Sequence, residues 1–327
     1  MPLYSIVVPV YNSEKSLPIL YERIAKVFDE QLREQFELIL VDDCSKDSSY
    51  KVIRAIASED SRVTGVQLAV NHGQQKAVLC GFGYASGDYV ITMDDDLQHP
   101  PEEIPKLIER ITSTDDVDVV IGAYDSKKAG PVRKLGTKLM DISSDMMFKK
   151  PKGLKLTSFR IMKRYVAQNL SKICISKPTV GPLLLQTTSR IVNEEVRHDP
   201  RQFGKSGYSF GKLVKTFFAN MMTNSDLPLK AVSFVGVASF VASIAIIIYL
   251  IIRYFVSGIS IAGWTSTISL ILFFGGMTLF SIGIIGKYLT NIMQEAKKMP
   301  QYNVRRTDGA NVSCQSDNSC EKEASVK

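Results

Sequence analysis

The sequence predicts an α/β domain built on a mostly parallel sheet, followed by an amphipathic interfacial helix and a two-helix transmembrane hairpin. Three observations carry this reading. Short continuous apolar runs alternate with amphipathic stretches through roughly the first 125 residues, the pattern of strands covered on both faces by helices. Those runs end in polar clusters, VPVYN, LVDDCS, LAVNHG and MDDDLQ, at the strand ends where such sheets bind ligands. Finally, the stretches 231–252 and 254–286 contain no Asp, Glu, Lys or Arg.

The strand YSIVVPV is followed by a helix over 16–33, and FELILVDD by a helix over 48–58. VTGVQLAV precedes a helix over 74–84, DYVITMDDD precedes one over 101–112, and VDVVIGAY closes the series. Beyond Gly130 the pattern is less regular, with helices expected over 132–148 and 160–170. The expected domain spans 1–205. Over 206–229, Phe210, Leu213, Val214, Phe217, Phe218, Met221 and Met222 share one helical face, with Lys212 and Lys215 off it. A core helix has the same stripe, but the position just before two uncharged runs favours a helix lying in the headgroup layer.

The region 230–290 is expected to hold two spans, since each uncharged run reaches bilayer length. Lys205, Lys212, Lys215 and Lys230 precede them, and Lys287, Lys297, Lys298, Arg305 and Arg306 follow, whereas the loop between has only Arg253 at its edge. The positive-inside rule then puts both flanks, and the α/β domain, on the cytoplasmic side of the cytoplasmic membrane. Ile6–Val10 is too short for the apolar region of a signal peptide and lacks a basic leader. The polar, serine-rich stretch after Pro300, within the segment 291–327, reads as disordered. A net charge of +7, with cations gathered near the spans, suits an anionic membrane surface and not nucleic acid. Cys44, Cys80, Cys174, Cys314 and Cys320 show no CxxC spacing, so free thiols are expected in a cytoplasmic setting.

The chemistry concentrates at Asp94, Asp95 and Asp96. Three adjacent carboxylates repel one another unless a cation binds them. On an extended strand end, Asp94 and Asp96 point the same way and would hold one hard cation, Mg²⁺ or Mn²⁺, which also bridges to substrate phosphates. No GxxxxGK[ST] occurs, so a P-loop is not indicated.

Taken in order, VVPVYNSEKSL, LVDDCSKDSS, NHGQQKAVLCGF and MDDDLQHPPEEIPKL resemble the family 2 glycosyltransferases. More narrowly they resemble the polyisoprenyl-phosphate glycosyltransferases, over about residues 4 to 290. The resemblance implies a GT-A (Rossmann-like) nucleotide-sugar domain whose DxD carries the metal bridging the donor diphosphate. It implies that Pro9 and Tyr11 border the base, that Asp42 and Asp43 meet base and ribose, and that Asp95 and Gln98 face the donor. Ser13 stands where the family has Glu, so Glu14 is the donor ligand by adjacency. LTSFRIMKRYV resembles the family's GDFRLMDRxVV with Ser158 in place of the acid, and HDPRQFGKSGYSFGKL resembles its RxxGxSxY segment. Arg201 and Lys205 would then grip the acceptor's lipid phosphate, Arg by bidentate hydrogen bonds, with Arg133 and Lys134 contributing. The implied reaction moves one sugar from a UDP- or GDP-sugar to a polyisoprenyl phosphate, with inversion, in a possible homo-oligomer. A phosphate monoester is already anionic at neutral pH, so neither His72 nor His99 is required as a base. The QxxRW motif of processive polysaccharide synthases is missing, the only tryptophan being Trp264. An inactive membrane subunit is disfavoured by the intact DxD and RxxGxSxY.

Overall fold

The computed structural model describes residues 2–124, 151, 153–175, 178–200 and 300–309, the helix Trp264–Ala296, and a short run and single positions between 229 and 263. The expected helix over 132–148, the cations Arg133, Lys134, Arg201 and Lys205, the stretch 206–228 and much of the first uncharged run lie outside the described residues.

The chain forms a GT-A-like α/β fold around one eight-stranded sheet, ordered β7-β5-β6-β4-β1-β2-β3-β8. The strands are β1 Leu3–Val10, β2 Gln35–Asp42, β3 Val63–Leu68, β4 Tyr89–Thr92, β5 Val119–Ala123, β6 Arg160–Lys163, β7 Ile191–Glu195 and β8 Val304–Asp308. Only β6 and β8 run against the others. Side chains of a strand alternate between faces, and the core divides accordingly. Ile6, Val8 and Val10 of β1 and Leu38 and Leu40 of β2 pack with Leu20 and Ile24 of α1 (Leu17–Lys26), Ile53 of α2 (Ser49–Glu59) and Leu107 and Ile111 of α4 (Ile104–Thr112). Val7, Ile39 and Val41 face the other way, onto α3 (Gln74–Tyr84), α5 (Arg164–Ser171) and α6 (Val180–Thr187). Helix α3 lies so close that a Cβ on Gly81 would stand 2.3 Å from Val7 Cγ1.

Three expectations change. The helix over 16–33 finishes as a π-helical turn, Val27–Leu32, closed by Arg33 at φ 55°. The helix expected over 160–170 begins as strand: Arg160–Lys163 pairs with both β4 and β5, because a slot between those strands offers backbone partners that a helix would leave unmet. The segment expected to be disordered after Pro300 supplies β8, paired antiparallel to β3. Polar residues serve there because an edge strand has one face in water. Cys44 and Cys80 stand outside any disulfide, but Cys174 is disulfide-bonded, against the expectation of thiols throughout.

The compact unit Met1–Ser206 with Lys298–Lys327 contains the sheet, and a second unit, Gly207–Lys297, contains α7, Trp264–Ala296. Among the described residues α7 is the one helix long and apolar enough to cross a membrane, over Phe273–Met293. Its 33 residues extend about 50 Å, more than the hydrocarbon core of a bilayer.

Candidate active site

The carboxyl ends of β1, β2 and β4 each turn sharply. Asn12, Cys44 and Leu97 adopt φ of 55°, 58° and 59°, left-handed conformations that non-glycine residues adopt at some cost and that cluster at functional sites. The turns open a cleft of about 350 Å³ lined by Pro9, Val10, Tyr11, Asp43, Asn71, Gly73, Gln74, Asp94, Asp95 and Asp96. Strand β4 stops at Thr92, so the three aspartates lie beyond it, Asp95 and Asp96 in a turn, and not on the extended strand end expected from DxD. All three nevertheless line the cleft.

Their environments differ. Asp94 accepts hydrogen bonds from Gln74 Nε2 at 2.6 Å and Ser158 Oγ at 2.6 Å. Asp96 accepts one from the Gln98 amide at 3.1 Å. Asp95 turns toward β1, where it accepts from the Tyr11 amide at 3.1 Å and from Ser13 Oγ. Burial pushes the Asp95 carboxyl up to about 6, the Ser13 and Tyr11 donors opposing it. Ser13, the residue that replaces the family's Glu, thus holds the middle aspartate. Asp43 accepts the amides of His72 at 2.6 Å and Gly73 at 2.7 Å, and Asn71 Nδ2 donates to its carbonyl at 3.1 Å. Burial raises the Asp43 pKa, and the two amides partly offset this.

Two expected donor ligands are engaged elsewhere. Asp42 is fully buried and accepts from the Ser45 amide and Gln67 Nε2. Side-chain alternation sends it into the sheet while its neighbour Asp43 reaches the cleft. Glu14 accepts the Ser48 amide at 3.0 Å at the start of α2, where a helix N-terminus favours an anion. Neither they nor Gln98 line the cleft. Tyr11 does, 44% exposed, with a ring free to stack on a planar ligand.

Behind Asp94 lie two buried groups that sequence reasoning left unassigned. Among the described residues neither His99 ring nitrogen has a hydrogen-bond partner, and Nδ1 stands 4.0 Å from Asp94 Oδ2. The ring stacks on Phe159 and meets His198 edge-on, and burial lowers its pKa. Arg160 is buried, its Nη1 without a partner among the described residues, and burial brings its pKa down to about 10 against the attraction of Asp94. The FR pair of LTSFR and the NHGQ run were the signals for Arg160, Asn71, Gly73 and Gln74.

Among the described residues no three or more His, Cys, Asp or Glu side chains converge as a complete metal site. Asp94 and Asp96 offer hard oxygens at an open wall instead. That donor set fits Mg²⁺ or Mn²⁺, which fill their remaining positions from water and substrate phosphate.

Residues 5–170 match the family Glycosyl transferase family 2. The undecaprenyl-phosphate 4-deoxy-4-formamido-L-arabinose transferase of Proteus mirabilis (strain HI4320) is 35% identical over 312 residues, 93% of this chain and 94% of that protein. The protein of the same name from Photorhabdus laumondii subsp. laumondii is 31% identical over 315 residues, 94% of each. Glucosyl-3-phosphoglycerate synthase of Mycobacterium tuberculosis, solved with Mn²⁺, UDP and glucosyl-3-phosphoglycerate, superposes with a TM-score of 0.48 at 20% identity, over 68% of this chain and 80% of that one. With a family match over half the chain and relatives similar along nearly all of it, the protein belongs to glycosyl transferase family 2 and is a glycosyltransferase.

Proposed function

We propose that the protein transfers a single sugar from a nucleotide sugar to a polyisoprenyl phosphate at the cytoplasmic face of a membrane. The observation that carries this is the similarity, along nearly their whole length, to relatives named for undecaprenyl phosphate. The cleft that joins Tyr11 and Asp43 to Asp94 and Asp96 supports the donor half of the reading. Tyr11 and Pro9 border the base, Asp43 accepts from base or ribose, and Asp94 and Asp96 hold Mg²⁺ or Mn²⁺. When bound, the cation neutralises the charge that develops on the departing nucleoside diphosphate. Gln74 and Ser158 hold Asp94, and Asp95 braces the Tyr11 turn, so the wall needs little rearrangement as charge builds.

The nucleophile is a phosphate oxygen of the acceptor. It forms the new bond to the anomeric carbon as the bond from that carbon to the donor diphosphate breaks, and the electron pair leaves with the nucleoside diphosphate. No proton needs removing, so the protein's task is in-line placement. Arg201 and Lys205, in the segment that resembles RxxGxSxY, are assigned to the lipid phosphate, with Arg133 as a further cation. Arg201→Ala then raises the KM for the lipid and lowers kcat while nucleotide binding changes little.

The membrane hairpin is supported by connectivity. The chain leaves the sheet unit before Gly207 and rejoins it through β8 after α7. A segment that starts and ends on one side of a bilayer crosses it an even number of times. A reporter after Lys298 is expected on the cytoplasmic side and one near Gly258 outside; a cytoplasmic reporter at Gly258 overturns the two-span topology.

The test of function is a donor screen of the purified full chain with undecaprenyl phosphate, including nucleoside-diphosphate-linked 4-deoxy-4-formamido-L-arabinose. One sugar per lipid supports the proposal, polymer favours a synthase, and no product favours an inactive subunit. Asp94→Asn or Asp96→Asn, and EDTA on the wild type, are each expected to reduce turnover about a hundredfold or more, with Mg²⁺ or Mn²⁺ reversing the chelator. Full turnover of both variants in EDTA rules out the metal.

A further inference from the structure

Strand β8 is separated from the rest of its sheet by the whole helical unit in sequence, yet it is fastened at many points. Tyr50 Oη donates to Asp308, and Arg54 lies 3.6 Å from the same carboxylate. Tyr84 Oη and Thr307 Oγ1 are 3.2 Å apart. The pairing slips between Gln67 and Leu68, which face Arg306 and Val304, leaving Arg305 as the extra residue of a bulge. A bulge bends its strand and redirects what precedes it. Here it carries Asn303 over the loop that follows β3.

Both backbone groups of Asn303 engage that loop. Its carbonyl accepts the Ala69 amide at 2.7 Å, and its amide donates to His72 Nε2 at 3.3 Å. The His72 and Gly73 amides are the two donors that hold the Asp43 carboxylate in the cleft. Gly73, at φ 90°, starts α3 and leaves the loop a conformation that most residues resist. The loop is tied to the β2 turn through the Asn71, His72 and Gly73 bonds to Asp43, and one residue of the C-terminal segment, Asn303, adds a bond at Ala69 and another at His72.

We propose that Asn303 and His72 form a positioning clamp for the donor site, supplied by the chain that returns from the apolar helix, which fixes the 69–73 loop and through it Asp43. The proposal rests on the assignment of Asp43 to the nucleotide. Neither residue lines the cleft; they act through Asp43. His72 serves as an acceptor at Nε2, which requires the neutral ring carrying its proton on Nδ1. A side chain that offers an acceptor at the same reach would do the same work, and an apolar one of similar size would not.

The test uses the full chain in detergent with His72→Leu, His72→Gln and Asp43→Asn. Amide hydrogen exchange is read at residues 72 and 73, and KM values are taken for donor and for undecaprenyl phosphate. Loss of one such hydrogen bond is expected to speed exchange and raise the donor KM about five- to tenfold in His72→Leu. The lipid KM and kcat stay within about twofold, since the lipid site is untouched. His72→Gln, whose Oε1 can accept from the Asn303 amide, restores both readouts. Exchange at 72 and 73 unchanged in His72→Leu overturns the clamp, as does an equal rise in donor and lipid KM or a failure of His72→Gln to rescue. Asp43→Asn separates the two layers. Wild-type donor KM in that variant sinks the nucleotide assignment, and the exchange data alone then decide the clamp.

Discussion

Strand β1 and helix α7 are built from the same kind of side chain and treat it in opposite ways. Ile6, Val7 and Val8 are 0% exposed, whereas Phe273, Leu279 and Phe280 are 63%, 72% and 65% exposed. Helices cover both faces of β1, but only 6% of the apolar window of α7 is buried. A helix apolar on all sides finds its complement in an equally apolar surrounding, and each square ångström left in water forfeits about 25 cal/mol. Apolar content thus identifies surface to be hidden, and the length and periodicity of the run identify what hides it. A short continuous run bounded by polar clusters points to a strand covered on both faces, and a run of bilayer length points to a candidate span.

The comparison can be broken at its strongest point first. Phe28 packs between Tyr4 and Phe36, with ring centroids 5.8 and 5.0 Å away. Phe28→Ala is expected to lower the unfolding free energy of the sheet unit by about 3–5 kcal/mol, read by denaturant titration. Leu279→Ala should leave that transition unmoved, and an equal loss would mean that α7 packs as a protein core.

Next in size, Leu279→Arg introduces a charge at mid-helix, expected to disfavour membrane insertion by about 2.5–3.5 kcal/mol. A glycosylation-reporter insertion assay measures it, and unchanged insertion would remove α7 from the bilayer. Gly81→Ala sharpens the sheet side. The new methyl meets the stiff, β-branched Val7 at 2.3 Å, so α3 must shift at a cost of about 1–3 kcal/mol, read as a lower Tm with α7 insertion unaffected.

The smallest effect is pH dependence at the clamp. Burial and then Lys76 hold the His72 pKa below its usual value, with Asp43 opposing. The folded state therefore prefers the neutral ring. Its contribution is complete above about pH 6.5, the unfolded value, and is lost as pH falls through the lower folded value. Donor affinity of the wild type is expected to weaken over that acid window more than that of His72→Gln; parallel curves would count against a titrating His72.

Much of the sheet and cleft was legible in the sequence for local reasons. Apolar runs of strand length, each ended by a polar cluster, predicted β1 to β5 and α1 to α4 nearly in place, because burial on both faces writes itself as continuous hydrophobicity. The ordered motifs identified the family, and with it the cleft that Tyr11, Asp43, Asp94 and Asp96 share. Tertiary structure decided what depends on distant partners. Arg160–Lys163 became a strand because β4 and β5 left a slot, and Val304–Asp308 became one because β3 left an edge. It also separated neighbours: Asp43 reaches the cleft while Asp42 is fully buried, and Asp95 turns to Ser13 and Tyr11 while Asp94 meets Gln74 and Ser158. Along an extended strand a one-residue step reverses the direction of a side chain, and in the turns beyond it only the packed neighbours determine which side chain faces the ligand.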